Sequence, residues 1–149
     1  MWIVKIGGSW IKNPKLSQLI KNLDKFSKFE KIVIVLGGGC FSDSVREAYS
    51  SKMMSQKTGH YLALKATEIF CYMLKEIKKD LILAKNIDSL KKFERKLVIW
   101  MPSTTLKKES SFCKNWDSTS DSVAAWLYKK TKSKGILFVK SLTLKKKKI

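Results

Sequence analysis

Residues 32–39 have the sequence IVIVLGGG, five apolar residues followed directly by three glycines. The run lacks the alternation of a strand with one wet face, so it predicts a strand buried on both faces of a parallel sheet. Glycines directly after such a strand allow a tight turn that presents backbone N–H groups. This stretch therefore predicts an α/β fold.

The segments on either side of this stretch repeat the strand and helix pattern. Residues 2–6 predict a first strand, and apolar residues three and four positions apart predict a helix over 16–29. After the glycines, Ser42 or Asp43 is expected to cap a second helix. A long helix over about 58–79, expected to pack lengthwise on the sheet, follows from the spacing of Leu62, Ala66, Ile69, Phe70, Met73 and Ile77.

The second half of the chain continues in the same way. Its predicted elements are an apolar run at 81–84, a helix at 87–95, a strand at 97–101, a loop over 103–116, a helix opened by a capping box of Ser118 and Asp121, and a strand at 136–139. We therefore expect a single three-layer αβα domain over 1–149 with a mainly parallel open sheet, ending in a basic tail at 142–149.

Composition limits the class of protein. A chain of 149 residues with 44% hydrophobic content has the size of one domain. No apolar run approaches the roughly 20 residues of a membrane-spanning helix, so no membrane association is expected. Three widely spaced cysteines and one histidine, His60, suit neither a disulfide framework nor a metal site. We expect a cytoplasmic protein, buried and inert cysteines, no metal site, and no catalytic role for His60.

The net charge of +19 invites a nucleic-acid interpretation. Only Arg46 and Arg95 among the 31 basic residues are arginine, and the lysines are spread along every predicted helix. Arginine is the preferred residue for bidentate recognition of bases and phosphates. No nucleic-acid partner is therefore expected, and a basic nucleic-acid-binding protein stays a distant alternative.

Two glycine turns are the first candidates for chemistry. Lys5 precedes the turn Gly7-Gly8-Ser9, and Gly37-Gly38-Gly39 follows the next strand. Turns at the ends of neighbouring parallel strands meet at one edge of the sheet, where backbone amides and a helix N-terminus bind anions. Tight packing between strand and helix explains either turn taken alone.

The segment NWDSTSDSVAAWL, residues 115–127, is the third candidate. Asp117 and Asp121 lie four residues apart at the predicted start of a helix. Asp121 suits helix capping, because an acidic side chain in the first turn complements the helix dipole. Orienting a lysine through its carboxylate is an equally good interpretation of Asp121.

Taken together and in this order, VKIGGS (4–9), LGGGCFSDSVRE (36–47), WDSTSDSVAAWL (116–127) and FVKSL (138–142) resemble the amino acid kinase superfamily. The resemblance is greatest to the aminomethylfuran phosphate kinases of methanofuran and C1-carrier biosynthesis. It implies transfer of the γ-phosphoryl group of MgATP to an acceptor oxygen of a small molecule, here a phosphate ester, by a protein that forms homo-oligomers.

The resemblance also implies roles for individual residues. The catalytic residues are Lys5, which bridges phosphates, and Asp121, which organises the lysines. The residues expected to bind the nucleotide are Gly7, Gly8, Ser9 and Lys140. Those expected to face the acceptor are Gly37, Gly38, Gly39 and Asp117, the last suiting an acceptor amine.

Relatives continue beyond the segment like GILFVKSL into a region that binds adenine and supplies a second lysine. On this comparison we expect a C-terminally shortened chain that lacks much of the nucleotide-binding half. A non-catalytic member of the superfamily, acting as a ligand-binding or regulatory protein, is the nearer alternative.

Overall fold

The computed structural model describes residues 1–141, so the predicted basic tail at 142–149 lies outside the described residues. Five strands form one sheet in the order β3-β4-β2-β1-β5, and all four pairings are parallel. The strands are β1 (Trp2–Ile6), β2 (Ile32–Leu36), β3 (Ile82–Ala84), β4 (Leu97–Trp100) and β5 (Gly135–Val139). The predicted α/β class and parallel sheet are confirmed.

Six α-helices and one 3₁₀ helix connect the described strands. The α-helices are α1 (Leu16–Ser27), α2 (Gly39–Ser50), α3 (Gln56–Ile77), α4 (Ile87–Lys91), α5 (Ser103–Lys108) and α6 (Ser120–Thr131), and the 3₁₀ helix spans Gly8–Lys12. None of the described helices is both long and apolar enough to cross a membrane.

Alternate residues of the central strand enter two separate apolar clusters. In β2, Ile34 packs with α1 and α3, whereas Val33 and Val35 pack with α4, α5 and α6. Successive side chains of a strand point to opposite faces. Because both faces of β2 are covered, its five side chains are all buried, and the molecule has the predicted three layers.

Helix α3 packs differently from its predicted arrangement. Leu64 enters one apolar cluster while Phe70 and Leu74 enter the other, so the helix reaches both faces of the sheet instead of lying lengthwise on one. Four of the six residues that predicted it are exposed: Leu62, Ile69, Met73 and Ile77. Apolar residues surround much of this helix, so spacing alone does not identify the buried side.

Three local predictions are wrong. Residues 103–108, expected in a loop, form α5. Helix α2 begins at Gly39 with Gly38 as its N-cap and no side-chain cap, so neither Ser42 nor Asp43 caps it, and the Ser42 hydroxyl donates to the carbonyl of Ala63 instead. In α6 the capping box is formed by Thr119 and Ser122, one residue later than predicted.

Glu68, a buried carboxylate on α3, explains why α5 forms. One of its oxygens accepts hydrogen bonds from the backbone N–H (3.1 Å) and the hydroxyl of Ser103. The other lies 3.2 Å from Lys65 Nζ. The carboxylate therefore satisfies an amide at the first residue of α5, a partner far away in sequence that local patterns do not reveal.

We expect Glu68→Ala to lower the free energy of unfolding by about 1–3 kcal/mol, because it leaves buried donors without a partner. Urea denaturation measures the change. Glu76→Ala is the matched control, since Glu76 is an exposed glutamate on the same helix. Equal losses in the two variants would show that the Ser103 contacts contribute nothing.

Candidate active site

The carboxyl ends of the parallel strands bring both glycine turns to one edge of the sheet. Gly7 follows β1 and Gly37 follows β2, and Lys140 follows β5 on the other side of β1. The Gly7 N–H donates to the Val139 carbonyl at 3.1 Å and the Gly37 N–H to the Ile6 carbonyl at 2.9 Å. These bonds fix the two turns to their neighbouring strands.

The two glycine turns touch each other. A Cβ added at Gly8 would lie 2.1 Å from the nitrogen of Gly39, and one added at Gly37 would lie 2.6 Å from the nitrogen of Gly8. Gly39 also has a φ of +53°, in the left-handed region that favours glycine. Close packing between backbones therefore explains these three glycines without any ligand.

Gly7 is different. A Cβ at this position would meet only the Val139 carbonyl oxygen at 3.6 Å, Ser9 Oγ at 3.7 Å and Lys5 Nζ at 3.9 Å, all ordinary contact distances. Its φ of −62° is open to any residue. No contact within the described protein requires a glycine here, and the space that a side chain would enter adjoins the Lys5 ammonium group.

Lys5, Asp121 and Lys140 form a charged triad at this edge. Lys5 Nζ lies 2.8 Å from Asp121 Oδ1 and forms an ion pair with it, although the angles at these atoms do not fit a hydrogen bond. Lys140 Nζ donates a hydrogen bond to the other carboxylate oxygen, Oδ2, at 2.9 Å. The Lys5 side chain is only 8% exposed, against 52% for Lys140. One carboxylate on α6 thus joins lysines from β1 and from the end of β5.

The charge state of Asp121 follows from this arrangement. Partial burial raises the pKa of its carboxyl, but the contacts with Lys5 and Lys140 outweigh burial and hold the pKa below its ordinary value. Asp121 is therefore ionised at neutral pH, and the triad holds two lysines to one carboxylate. This excess of lysine suits a phosphate group.

A hydrogen bond between two serine side chains lies at the same edge of the sheet. The hydroxyls of Ser9 and Ser141 lie 2.5 Å apart, which joins the first turn to the segment after β5. Ser9 is exposed, so the link lies at the surface.

A cleft of about 190 Å³ opens beside the glycine turns. Its wall includes Gly8, Ser9, Gly37, Gly38 and Gly39 from the predicted set. It also includes residues for which no site role was predicted, among them Asp43, Arg46, His60, Trp116, Thr119 and Ser120. The scarcity of arginine in this chain is a sequence signal that could have identified Arg46, but it served only as an argument against nucleic-acid binding.

The remaining predicted site residues lie outside the wall of this cleft. Lys5, Gly7, Asp121 and Lys140 are not lining residues, although Gly7 directly precedes Gly8 of the wall and Asp121 directly follows Ser120 of the wall. Asp117 is exposed, although its neighbours Trp116 and Ser118 line the cleft.

His60 lies buried in the cleft wall. Burial lowers the pKa of its imidazole, the Ser118 backbone opposes the change, and nearby Lys114 adds to the lowering. The ring is therefore neutral at pH 7.

The cysteine prediction holds for one residue of three. Cys71 is buried, and burial raises the pKa of its thiol to about 12, which makes it unreactive. Cys40 and Cys113 are exposed, because they lie at the start of α2 and in the segment after α5, outside both apolar clusters. All three are free thiols.

Within residues 1–141, no group of three or more His, Cys, Asp or Glu side chains is placed to hold a metal ion. Magnesium is commonly held by one or two carboxylates together with the phosphates of a nucleotide. A Mg²⁺ ion that arrives with ATP is compatible with this edge, which offers amides and ammonium groups to the phosphates.

Comparisons with known proteins agree on one family. The model of the amino acid kinase family matches residues 1–141. A curated relative, (5-(aminomethyl)furan-3-yl)methyl phosphate kinase of Methanocaldococcus jannaschii, is 33% identical over an alignment of 135 residues, and the match covers 87% of this chain and 60% of the relative. The chain thus spans about three fifths of the length of that protein.

The fold is shared with a solved structure of low sequence similarity. Uridylate kinase from Archaeoglobus fulgidus superimposes with a TM-score of 0.68 at 16% identity, over 95% of this chain and 63% of that one. The parallel sheet and the family match over all of the described residues lead to one conclusion: this chain belongs to the amino acid kinase family.

Proposed function

We propose that the protein is an ATP-dependent kinase that transfers the γ-phosphoryl group of MgATP to an acceptor oxygen of a small molecule. The observation that carries this proposal is the triad of Lys5, Asp121 and Lys140 next to Gly7, a glycine that no contact in the described residues requires. The proposed acceptor is the phosphate of aminomethylfuran phosphate or of a related C1-carrier precursor, which would yield a diphosphate. The relative from M. jannaschii supports this choice by its name.

The proposed roles follow the position of each residue. Gly7, Gly8 and Ser9 hold the nucleotide phosphates together with Lys140, while Lys5 neutralises the charge on the transferring group and Asp121 keeps both lysines in place. Mg²⁺ bound to ATP supplies further charge neutralisation on the phosphates.

We propose that the acceptor binds at the second glycine turn. Gly37, Gly38 and Gly39 face the acceptor, because they line the cleft and lead into α2, whose N-terminus has no side-chain cap. Asp117 adjoins two residues of the cleft wall, so we propose that its carboxylate receives an acceptor amine at the cleft entrance. Positioning and charge stabilisation supply most of the catalysis in such a reaction.

Isothermal titration with MgATP, followed by ³¹P NMR of a mixture of MgATP and aminomethylfuran phosphate, tests the proposal. We expect stoichiometric MgATP binding and a new diphosphate signal. Binding of acceptor without any diphosphate would favour a non-catalytic family member that binds ligands or regulates.

Gly7 and Gly8 allow a prediction that separates phosphate binding from packing. Gly7→Ala places a methyl group in ordinary contact distance but in the proposed phosphate space, so we expect the wild-type melting temperature and about tenfold or greater loss of MgATP affinity. Gly8→Ala places its Cβ 2.1 Å from Gly39 N, so we expect a clear loss of stability. Thermal denaturation and titration measure both. Unchanged MgATP affinity in Gly7→Ala would contradict the proposed role.

We further propose that the protein forms homo-oligomers through α3. Five large apolar side chains on this helix are 36–54% exposed: Leu62, Ile69, Tyr72, Met73 and Ile77. The first and last of them are 15 positions apart, about 22 Å at the rise of an α-helix. A stripe of this kind can pair with the same stripe of a second copy across a twofold axis.

We expect Ile69→Lys to weaken self-association about tenfold or more, since it buries a charge in the proposed interface. Light scattering coupled to size-exclusion chromatography measures the mass over a range of concentrations. Phe29→Lys is the control, because Phe29 is 80% exposed and lies outside α3. A wild-type chain that is monomeric at all concentrations would refute this interface.

We also propose a cytoplasmic location. The free and exposed Cys40 and Cys113 support it, because exposed thiols persist in a reducing compartment.

A further inference from the structure

Arg46 is set apart from the other basic residues by its chemistry and its location. The chain has 31 basic residues, of which only Arg46 and Arg95 are arginine. Arg95 precedes β4, at the amino end of the strands, whereas Arg46 lines the cleft at the carboxyl edge. Nearly all other basic positions in this chain are lysine. A planar guanidinium at the cleft therefore suggests a function that an ammonium group does not perform.

An aromatic platform holds the Arg46 side chain. Its guanidinium carbon lies 5.7 Å from the centre of a Trp116 ring, within the range of a cation–π contact. Trp116 in turn packs against Tyr49, with ring centres 5.1 Å apart. The platform therefore joins α2, which carries Arg46 and Tyr49, to the segment before α6.

Gly59 on α3 makes room for this platform. A Cβ at Gly59 would lie 2.8 Å from Trp116 Cζ2 and 3.1 Å from Tyr49 Cδ2. A glycine inside a helix costs about 1 kcal/mol relative to alanine, so its presence here has a steric reason. Three separate parts of the chain thus contribute to the position of one guanidinium group.

The Arg46 guanidinium and the Trp116 indole nitrogen both have hydrogen-bond donors that the described residues leave unused. Within the described residues, Arg46 has one carboxylate contact, Asp43 at 3.5 Å, in a pair whose side chains are 54% and 69% exposed. A guanidinium has five N–H donors. The indole nitrogen of Trp116 is buried and has no hydrogen-bond partner in residues 1–141, and a buried donor of this kind is costly to leave unpaired.

We propose that Arg46, positioned by Trp116, binds the phosphate of the acceptor in bidentate fashion and so determines that the acceptor is a phosphate monoester. The inference rests on the proposed function and deepens it. The fork of the guanidinium matches two phosphate oxygens. The third oxygen stays free to attack the γ-phosphorus of ATP, forming the new P–O bond as the bond to ADP breaks. The cleft supplies a continuous path for this geometry, because it runs from Gly8 and Ser9 to Arg46.

The test compares two ligands in the absence of nucleotide, aminomethylfuran phosphate and the corresponding alcohol, by isothermal titration. Arg46→Lys keeps the charge and loses the planar fork. We expect it to weaken binding of the phosphate about 10- to 100-fold and to leave alcohol binding unchanged. Arg95→Lys is the matched control, with wild-type affinities for both ligands.

Trp116 is tested as a positioning residue. Trp116→Phe keeps an aromatic face and should retain most of the phosphate affinity, whereas Trp116→Ala should weaken it about tenfold with an unchanged circular dichroism spectrum. In turnover assays, Arg46→Lys should raise KM for the acceptor and leave KM for MgATP unchanged.

The outcomes separate the inference from the kinase proposal. If Arg46→Lys binds the phosphate as tightly as wild type, or weakens phosphate and alcohol equally, the inference is wrong even where the wild-type enzyme turns over. If the wild type binds the phosphate through Arg46 but makes no diphosphate, the inference stands and the kinase proposal fails. A folded wild-type chain that binds neither ligand overturns both.

Discussion

Replacing Lys5 by methionine is expected to reduce phosphoryl transfer by about 10³-fold, the largest effect of any single change considered for this chain. The Lys5 ammonium is buried next to Gly7 and paired with Asp121 at 2.8 Å. Its position is therefore fixed before substrate binds, and a fixed charge next to the phosphates needs no reorganisation during the reaction. Methionine has a similar length and no charge. The expected loss lies mainly in kcat, measured by diphosphate production at saturating MgATP and acceptor.

Two controls make the Lys5 result specific. Lys12→Met removes an exposed lysine on the 3₁₀ helix that follows the same turn, and it should keep wild-type activity. Circular dichroism checks that Lys5→Met is folded. A folded Lys5→Met enzyme with wild-type kcat would show that Lys5 has no role in catalysis and that the backbone amides alone stabilise the phosphates.

The second large effect is expected for Asp121→Asn, with a loss of activity of about 10²-fold. Asparagine has the same shape as aspartate but no charge. Lys5 and Lys140 therefore lose the carboxylate whose two oxygens they contact. The two ammonium groups then repel each other. We expect kcat to fall, and Asp88→Asn, which alters an exposed ion pair on α4, to leave kcat unchanged.

The pH dependence of stability provides a second measurement for Asp121. Because its ion pairs lower the pKa in the folded state, their stabilisation is fully present above the ordinary aspartate pKa of about 3.9. It is lost as pH falls through the lower folded-state pKa. Wild type and Asp121→Asn should therefore differ in stability at pH 7 and converge in acid. A constant difference at all pH values would show that the ion pairs do not cause it.

The parallel sheet and the meeting of the two glycine turns at one of its edges could be predicted from the sequence. The apolar run of β2 and the glycines after β1 and β2 are local features, and the parallel arrangement places the ends of such strands side by side. The residues that resembled the family motif, Lys5, Asp121 and Lys140, lie together in the structure. The position of α5 was not predictable in this way, because its first amide is satisfied by Glu68, 35 residues earlier.

Sequence by itself determined that this chain folds as a parallel α/β domain with two glycine turns at one edge, because strand burial and turn chemistry are properties of a few adjacent residues. Only the tertiary structure decided which glycines are required by packing, which side of α3 is exposed, and that Arg46, Trp116 and Gly59 meet at the cleft. These features depend on how α2, α3 and the segment before α6 cross in space. Contacts between residues so far apart in the chain leave no periodic signal in the sequence.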